Sequence, residues 1–583
     1  MWGRIFLTLC VLILGSSLAY AGSAKVSSDL AAVNSSGQVN VIVQYNQVPT
    51  AHHHQKVFSR GGTLRRGLGN FKGGAYSMPA SALADLAADP EVAYISPDRP
   101  VQGASTTPTL VLDHHTETIN TLSAWQQGLS GNGIGVAVID SGIANVPDLN
   151  TKNIVYSQDF TGSTSGSASD QYGHGTHVAG IIAGQATKSH GNSYSYTFAG
   201  IAFEANLINL RVLDQNGAGT VSEVIAAIQT AIQLKNTYNI RVINLSVGGP
   251  VWESYTQDPL CQAVEQAWKA GIVVVVAAGN YGRDNNAGTN GYGTITSPGN
   301  DPYVITVGAM NTMGTADRTD DVPASYSSKG PSLFDQVIKP DLVAPGNLID
   351  SLYTPAETMN QQNPGYEIPY SLYVTNGSVS RSAYYYALSG TSMAAPMVSG
   401  AAALMLEQNS ALTPDQVKAR LMKTAFKDLQ QSSVVTDSAT GQTFNEQADI
   451  FTVGAGYLDI QAALANTDLA PSTAGSARSP IAKIDSKGEV VLSSGSSVLG
   501  GTSVLWGSSV LWGSSVLWGS NAAGQSVLWG SSSLAGESVL WGSSVVQSDS
   551  VLWGSSVLWG SSVLWGSTAT SANGAILSDN LKR

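Results

Sequence analysis

Between residues 117 and 468, short apolar runs alternate with helical patterns. The runs "GIGVAVID", "ANLINLRVL", "RVINLSV" and "GIVVVVAAGN" are rich in β-branched residues and carry little polar alternation. Such runs belong to strands covered on both faces, and the helices between them predict a mainly parallel sheet in an α/β layer fold. Upstream, residues 38–103 read as a small α+β domain. Its strand-like runs "VNVIVQY", "GAYSMP" and "VAYISPD" surround a short helix, "SALADLAAD", with Ser81 placed to cap it. Residues 104–116, rich in Thr, Pro and His, read as a linker.

After residue 468 the pattern changes to a short repeat. The tetrapeptide VLWG begins at positions 504, 510, 516, 527, 539, 551, 557 and 563, so most steps are 6 or 12 residues. Ser-Val-Leu-Trp favours strand and Gly-Ser suits a two-residue turn, which predicts a tight meander; a solenoid with six residues per side is the alternative. Val and Trp would share one face and Leu the other. The tail, residues 469–583, is therefore expected to be disordered or short-stranded β that orders by docking on a surface or on copies of itself. The lack of charge in residues 493–536 favours that association. With no His, no Cys and few acids, the tail holds no nucleophile–base pair.

Composition narrows the functional classes. The net charge is −12 and no Lys/Arg-rich run offsets it, which argues against nucleic acid or an anionic membrane as partner. Residues 1–21 read as an export signal: Arg4, an uncharged apolar run over residues 5–14, and small residues at Ala19 and Ala21. That run is too short to span a bilayer, and no later segment is long and apolar enough. The expected location is extracellular, with retention at the cell surface by the tail as an option. Cys10 lies within the signal, so Cys261 is left alone, on an apolar helical pattern that suits a buried small hydrophobe. Stability then rests on the core, with bound ions as a further source.

Three strand ends carry chemistry-bearing residues: Asp140 in "VIDSG", Ser246 in "NLSVGG" and Asn280 in "VAAGN". In open α/β sheets, function gathers at such carboxyl ends. "GHGTHVAG" with His174 and "GTSMAAP" with Ser392 both open helical patterns of small residues. A serine hydroxyl needs a neighbouring base to become a nucleophile, and a buried carboxylate fixes the imidazole that serves as that base. A nucleophile at a helix N-terminus also has N–H groups that favour developing negative charge. The Asn280 amide, with the backbone N–H of Ser392, is suited to hold an oxyanion.

The order Asp, His, Asn, Ser within these motifs resembles the subtilisin-like serine peptidases. The resemblance covers roughly residues 117–468 and includes "NLSVGGP", "SYSSKGP" and "DLVAPG". It implies a subtilisin-like three-layer fold and an endopeptidase acting on protein and peptide substrates through an acyl-enzyme. In that frame Asp140 orients, His174 is base and then acid, Ser392 attacks, and Asn280 helps hold the oxyanion. Ser246, Val247, Gly248 and Gly249 are expected to pair with substrate on one side, and the "NGAG" segment with Gly217, Ala218 and Gly219 on the other. Ala277, Ala278 and Gly279 would wall the main specificity pocket with "SVGG", which implies a preference for large apolar or aromatic residues. Residues 38–103 resemble the family's inhibitory propeptide, so the chain is expected to be a preproenzyme cut between about residues 100 and 116.

Other residues receive plainer readings. His177 is expected to be a packed structural residue, His52–His54 a solvated loop, and Asp170 a lesser candidate than Asp140 because it follows a Ser/Gly loop. No cofactor is required for the chemistry. Structural calcium is an option, although residues 185–200 lack the family's Asn-rich calcium loop. Residues 354–386, with Tyr366, Tyr370, Tyr373 and Tyr384–Tyr386, read as an insertion that either fences the cleft or forms a surface flap. A rival reading makes the chain a surface adhesin whose peptidase domain only matures it.

Overall fold

The computed structural model describes residues 25–31, 37–103, 114–149, 153–286, 288–362, 365–430, 432–436, 441–484 and 490–492, and ten short strands beyond residue 503. The expected export signal and most of the linker lie outside the described residues.

The first compact unit ends at Asp98. Its strands are β1 (Gln38–Tyr45), β2 (Thr63–Leu68), β3 (Gly73–Pro79) and β4 (Val92–Pro97), in the antiparallel order β2-β3-β1-β4. Helix Ala51–Phe58 follows β1 and helix Leu83–Ala87 follows β3, giving the split βαβ arrangement. Alternate positions Val41, Val43 and Tyr45 of β1 join Val57, Met78, Leu86 and Ile95 in one apolar core.

Two readings are corrected here. His52–His54 are not a solvated loop but lie on the helix after β1, where His53 is buried. The His53 ring accepts the Thr50 N–H at 3.1 Å, taking the place of the acid or amide that usually completes a capping box. Ser81 does not cap the second helix, because Ala80–Ala82 wind as a 3-10 turn and place it inside the turn.

The second unit is built on an eight-stranded sheet. Its strands, with three short neighbours that pair apart from it (β5, β9 and β11), are β5 (Pro100–Gly103), β6 (Gly135–Asp140), β7 (Ile154–Asp159), β8 (Asn206–Arg211), β9 (Ala218–Thr220), β10 (Ile240–Leu245), β11 (Val247–Gly248), β12 (Val273–Ala277), β13 (Ile305–Asn311), β14 (Val322–Pro323) and β15 (Leu342–Pro345). The sheet order is β14-β13-β12-β10-β6-β8-β7 with β15 on β13, and every pairing except β13–β14 is parallel. Every position of β6 and β12 is buried, as strands covered on both faces require. Helix Thr391–Gln408 packs on β10, β12, β13 and β15 and against helix His174–Ala183, while helices Val221–Leu234 and Pro259–Lys269 pack together. The chain thus forms the expected three layers. From β6 the chain passes to β7 and β8 on one side, and from β10 to β12 and β13 on the other, so the sheet's switch point lies between β6 and β10.

Residues 354–386 are more than a surface flap. With β16 (Ile349–Leu352), the strands β17 (Glu367–Pro369) and β18 (Arg381–Leu388) make a small antiparallel sheet. Tyr373, Tyr385 and Tyr386 are buried, and the Tyr385 hydroxyl donates to Asp148 at 2.5 Å. The body also continues past residue 468: Ser479 N–H donates to Pro302 O, and Ala482 N–H to Gln336 O.

The tail strands pair in parallel rather than as meander hairpins. Ser503–Trp506, Ser515–Trp518, Ser526–Trp529, Ser538–Trp541, Val551–Trp553 and Val563–Leu564 form one sheet; Ser520–Ala523, Ser531–Ala535, Val546–Gln547 and Leu558–Trp559 form another. From Ser515 onward the described strands of the two sheets alternate along the chain, as in the solenoid alternative. Identical residues align, as in Val504 with Val516 and Leu505 with Leu517.

Candidate active site

Asp140 is the last residue of β6 and Ser246 the first after β10, so both stand at the switch point. The Asp140 carboxylate accepts the Ser141 N–H and meets His174 Nδ1, each at 2.7 Å. Both side chains are fully buried. His174 opens its helix, and Asp170 holds that helix start: its carboxylate accepts the backbone N–H of Gly173 and Thr176, each at 2.8 Å. This capping duty separates Asp170 from Asp140. Gly175 permits the close approach, since a Cβ there would lie 2.2 Å from Gly142 O.

Ser392 is the second residue of helix Thr391–Gln408. Its hydroxyl donates to Ser246 O at 3.1 Å, and the Ser246 hydroxyl donates to Ser392 O at 2.8 Å. The second bond exists because of Pro396. Proline has no N–H to offer the carbonyl four residues back, so Ser392 O is left open to a side-chain donor. Ser246 is held in turn by Asn244, and Asn244 by Ser399, through bonds of 3.0 and 2.8 Å.

Asn280 follows β12. Its Oδ1 accepts both the N–H and the hydroxyl of Thr391 at 3.0 Å. That fixes the direction of the amide, and among the described residues its buried Nδ2 has no acceptor. Thr391 is a residue the sequence motif alone did not single out.

A cleft-like track is outlined by strands on both sides of β5. Val247 and Gly248 pair antiparallel with Gly103 and Gln102, while Thr220, Gly219 and Ala218 pair antiparallel with Pro100, Val101 and Gln102. Of the expected substrate-pairing residues, Val247, Gly248, Ala218 and Gly219 occupy this ladder. Gly249 pairs with Ser297 instead, Gly217 sits in the turn before β9 with φ of +71°, and Thr220 completes the ladder. Ala277 ends β12, and Ala278 donates its N–H to Val307 O. Thr296 lies between the two expected pocket walls: a Cβ on Gly248 would come within 2.9 Å of it and one on Gly279 within 2.6 Å. The glycines therefore allow the walls to close on Thr296, a residue with no motif to announce it.

His177 is buried one turn beyond His174, with Nε2 at 3.0 Å from Ile349 O and 3.1 Å from Tyr386 O. Burial pushes its pKa down to about 3. Burial raises the Cys261 thiol well above its ordinary range, which leaves it an inert core residue. Near residues 185–200 the Asp148 carboxylate accepts from the hydroxyls of Thr187 and Tyr385. No group of three or more His, Cys, Asp or Glu side chains placed to hold a metal occurs among the described residues.

Residues 131–456, more than half of the chain, match the model of the subtilase family, Peptidase_S8. The chain belongs to the subtilase family. It is 41% identical over 297 residues to serine protease AprX of Bacillus subtilis (strain 168), a match spanning 50% of this chain and 61% of that relative. With subtilisin E of the same organism it shares 33% identity over 401 residues, 68% of this chain and 87% of the relative. Fervidolysin from Fervidobacterium pennivorans has a related fold, with a TM-score of 0.54, 22% identity, and coverage of 78% of this chain and 65% of that one. This subtilase is accordingly a serine endopeptidase. Among its described residues no helix is long and apolar enough to cross a membrane.

Proposed function

We propose that the chain is a secreted endopeptidase made as a preproenzyme, with Asp140, His174 and Ser392 as its triad. The observation that carries this reading is the 2.7 Å contact of Asp140 with His174 Nδ1 at the sheet's switch point. On substrate binding the Ser392 hydroxyl turns from Ser246 O to His174 Nε2, gives up its proton, and Oγ attacks the scissile carbonyl carbon. Asp140 holds the imidazole tautomer and stabilises the imidazolium. The oxyanion is received by Asn280 Nδ2 and the Ser392 N–H. Collapse breaks the C–N bond, His174 returns the proton to the leaving amine, and water attacks the acyl-enzyme with His174 again as base. Calcium bound elsewhere in the body would act on stability alone.

Residues 38–103 act as the inhibitory segment, a reading supported by their last strand, β5, which occupies the substrate ladder. Its register sets Gly103 against Val247; continued by one residue, a substrate strand reaches Ser246, whose carbonyl receives the nucleophile's hydroxyl. We therefore place the processing bond after Ala104. The test is expression of the full chain and its Ser392→Ala variant. The wild type is expected to hydrolyse casein, with highest rates beside large apolar or aromatic residues, and to yield a mature form beginning at Ser105 by mass spectrometry. Absence of any Ser392-dependent hydrolysis would overturn the reading. Loss of residues 38–103 from purified Ser392→Ala protein would overturn self-processing.

A further inference from the structure

The strand that lies in the substrate ladder brings a charged side chain with it. Arg99 immediately precedes β5, and its carbonyl accepts the Val221 N–H at 2.8 Å, which extends the ladder on β9 by one residue. Its guanidinium donates to both carboxylate oxygens of Glu253, at 2.8 and 3.0 Å. The pair is nearly dry, with side-chain exposures of 10% for Arg99 and 4% for Glu253. The loop bearing Glu253 is itself anchored, since Ser254 Oγ and Tyr255 N donate to Asp335 at 2.5 and 2.9 Å. The residue thus stands in a built position at the end of the track remote from Ser392.

We infer that Glu253 is a specificity-determining subsite for an arginine side chain of the substrate, four residues before the residue that occupies the place of Gly103. This inference rests on the proposed endopeptidase reading. A guanidinium fork matches a carboxylate through two parallel hydrogen bonds, a geometry that lysine cannot reproduce. Any extended chain drawn into the β9 and β11 ladder has the register that Arg99 now has, because the backbone hydrogen bonds fix it. When maturation removes the native segment, Glu253 is left on the track as a carboxylate with a preformed position for a cation. Burial makes the pairing selective: an acidic or apolar side chain there would leave the charge desolvated and unmatched.

The test uses the mature enzyme purified from the full chain and a peptide of its own residues 95–110, ISPDRPVQGASTTPTL, in native, Arg99→Ala and Arg99→Glu forms. The native peptide is expected to be cut with kcat/KM about tenfold or more above the alanine peptide, and the glutamate peptide to be slowest. In Glu253→Gln enzyme, with its fold checked by circular dichroism and thermal melting, the arginine-to-alanine ratio falls to within about threefold of unity. In Glu253→Arg enzyme the order of the arginine and glutamate peptides reverses. Equal cutting of the native and alanine peptides by wild-type enzyme overturns the subsite while leaving the endopeptidase reading intact. Failure to cut any of the three, or casein, in a Ser392-dependent way overturns the endopeptidase reading instead.

Discussion

Asn280 divides its amide: the oxygen is tied to Thr391, and the buried nitrogen keeps its donors uncommitted among the described residues. If that nitrogen receives the oxyanion as proposed, it acts on charge that develops only in the transition state, and Asn280→Leu is expected to lower kcat about 100- to 1,000-fold with KM little changed. Steady-state kinetics on one peptide substrate checks this. His177 carries a different prediction. Its pKa falls from an ordinary 6.5 to about 3 in the fold, so the folded chain binds fewer protons than the unfolded one between those values. Stability therefore declines as pH drops below 6.5. Urea unfolding at pH 6.5 and pH 5 is expected to show wild type losing about 2 kcal/mol more than His177→Gln over that interval. Asp140, His174, Asn280 and Ser392 were legible because each sits in a motif at a strand end or helix start. Thr391 and Thr296 were not, because a threonine that grips a neighbour has no spacing of its own.

At the scale of elements, the buried strands of the main sheet were legible because burial on both faces leaves no polar alternation to confuse them. The helix after β1 was hidden, since three histidines mask its one buried aliphatic, Val57, and a histidine completes its cap. The small sheet β16-β18-β17 was hidden for another reason. Its tyrosines look like a surface decoration in sequence, yet they bury against Phe198 and Tyr194 of the segment after the His174 helix. The sheet also braces that helix directly, through His177 to Ile349 and Tyr386 and through Ser351 Oγ to His177 O at 2.8 Å. Tyr385→Phe removes the donor that Asp148 and Ser189 share. It is expected to cost about 1–3 kcal/mol of stability, read from the denaturant midpoint, with kcat on a short peptide within about twofold of wild type.

At the largest scale, the second unit is closed by a polar clasp. Asp341 is wholly buried and paired with Lys339 at 2.7 Å and Lys418 at 3.0 Å. Lys418 also donates to Ser479 Oγ at 2.8 Å, while Asp415 accepts the backbone N–H of Gly475 and Ala477 at 3.1 and 2.7 Å. Residues 470–482 therefore complete a polar network inside the body rather than begin the tail. A chain ending at Asp468 would leave these groups short of partners and is expected to lose at least about 3 kcal/mol against a chain ending at Ile484, measured by urea unfolding. Casein hydrolysis by the longer truncation should match full length, and its release from cells would assign surface retention to the tail.

Register has a further consequence in that tail. A strand whose neighbour repeats it 12 residues on, as Ser526–Trp529 repeats in Ser538–Trp541, has no partner that it alone fits. Removing one complete coil would leave each remaining Val-Leu-Trp strand of the first sheet beside an equivalent one. The body, where each strand has a unique neighbour, admits no such edit. The two ends of this protein thus obey different rules of inheritance: the tail can grow or shrink by whole coils and keep its pairing, whereas the body must be copied whole.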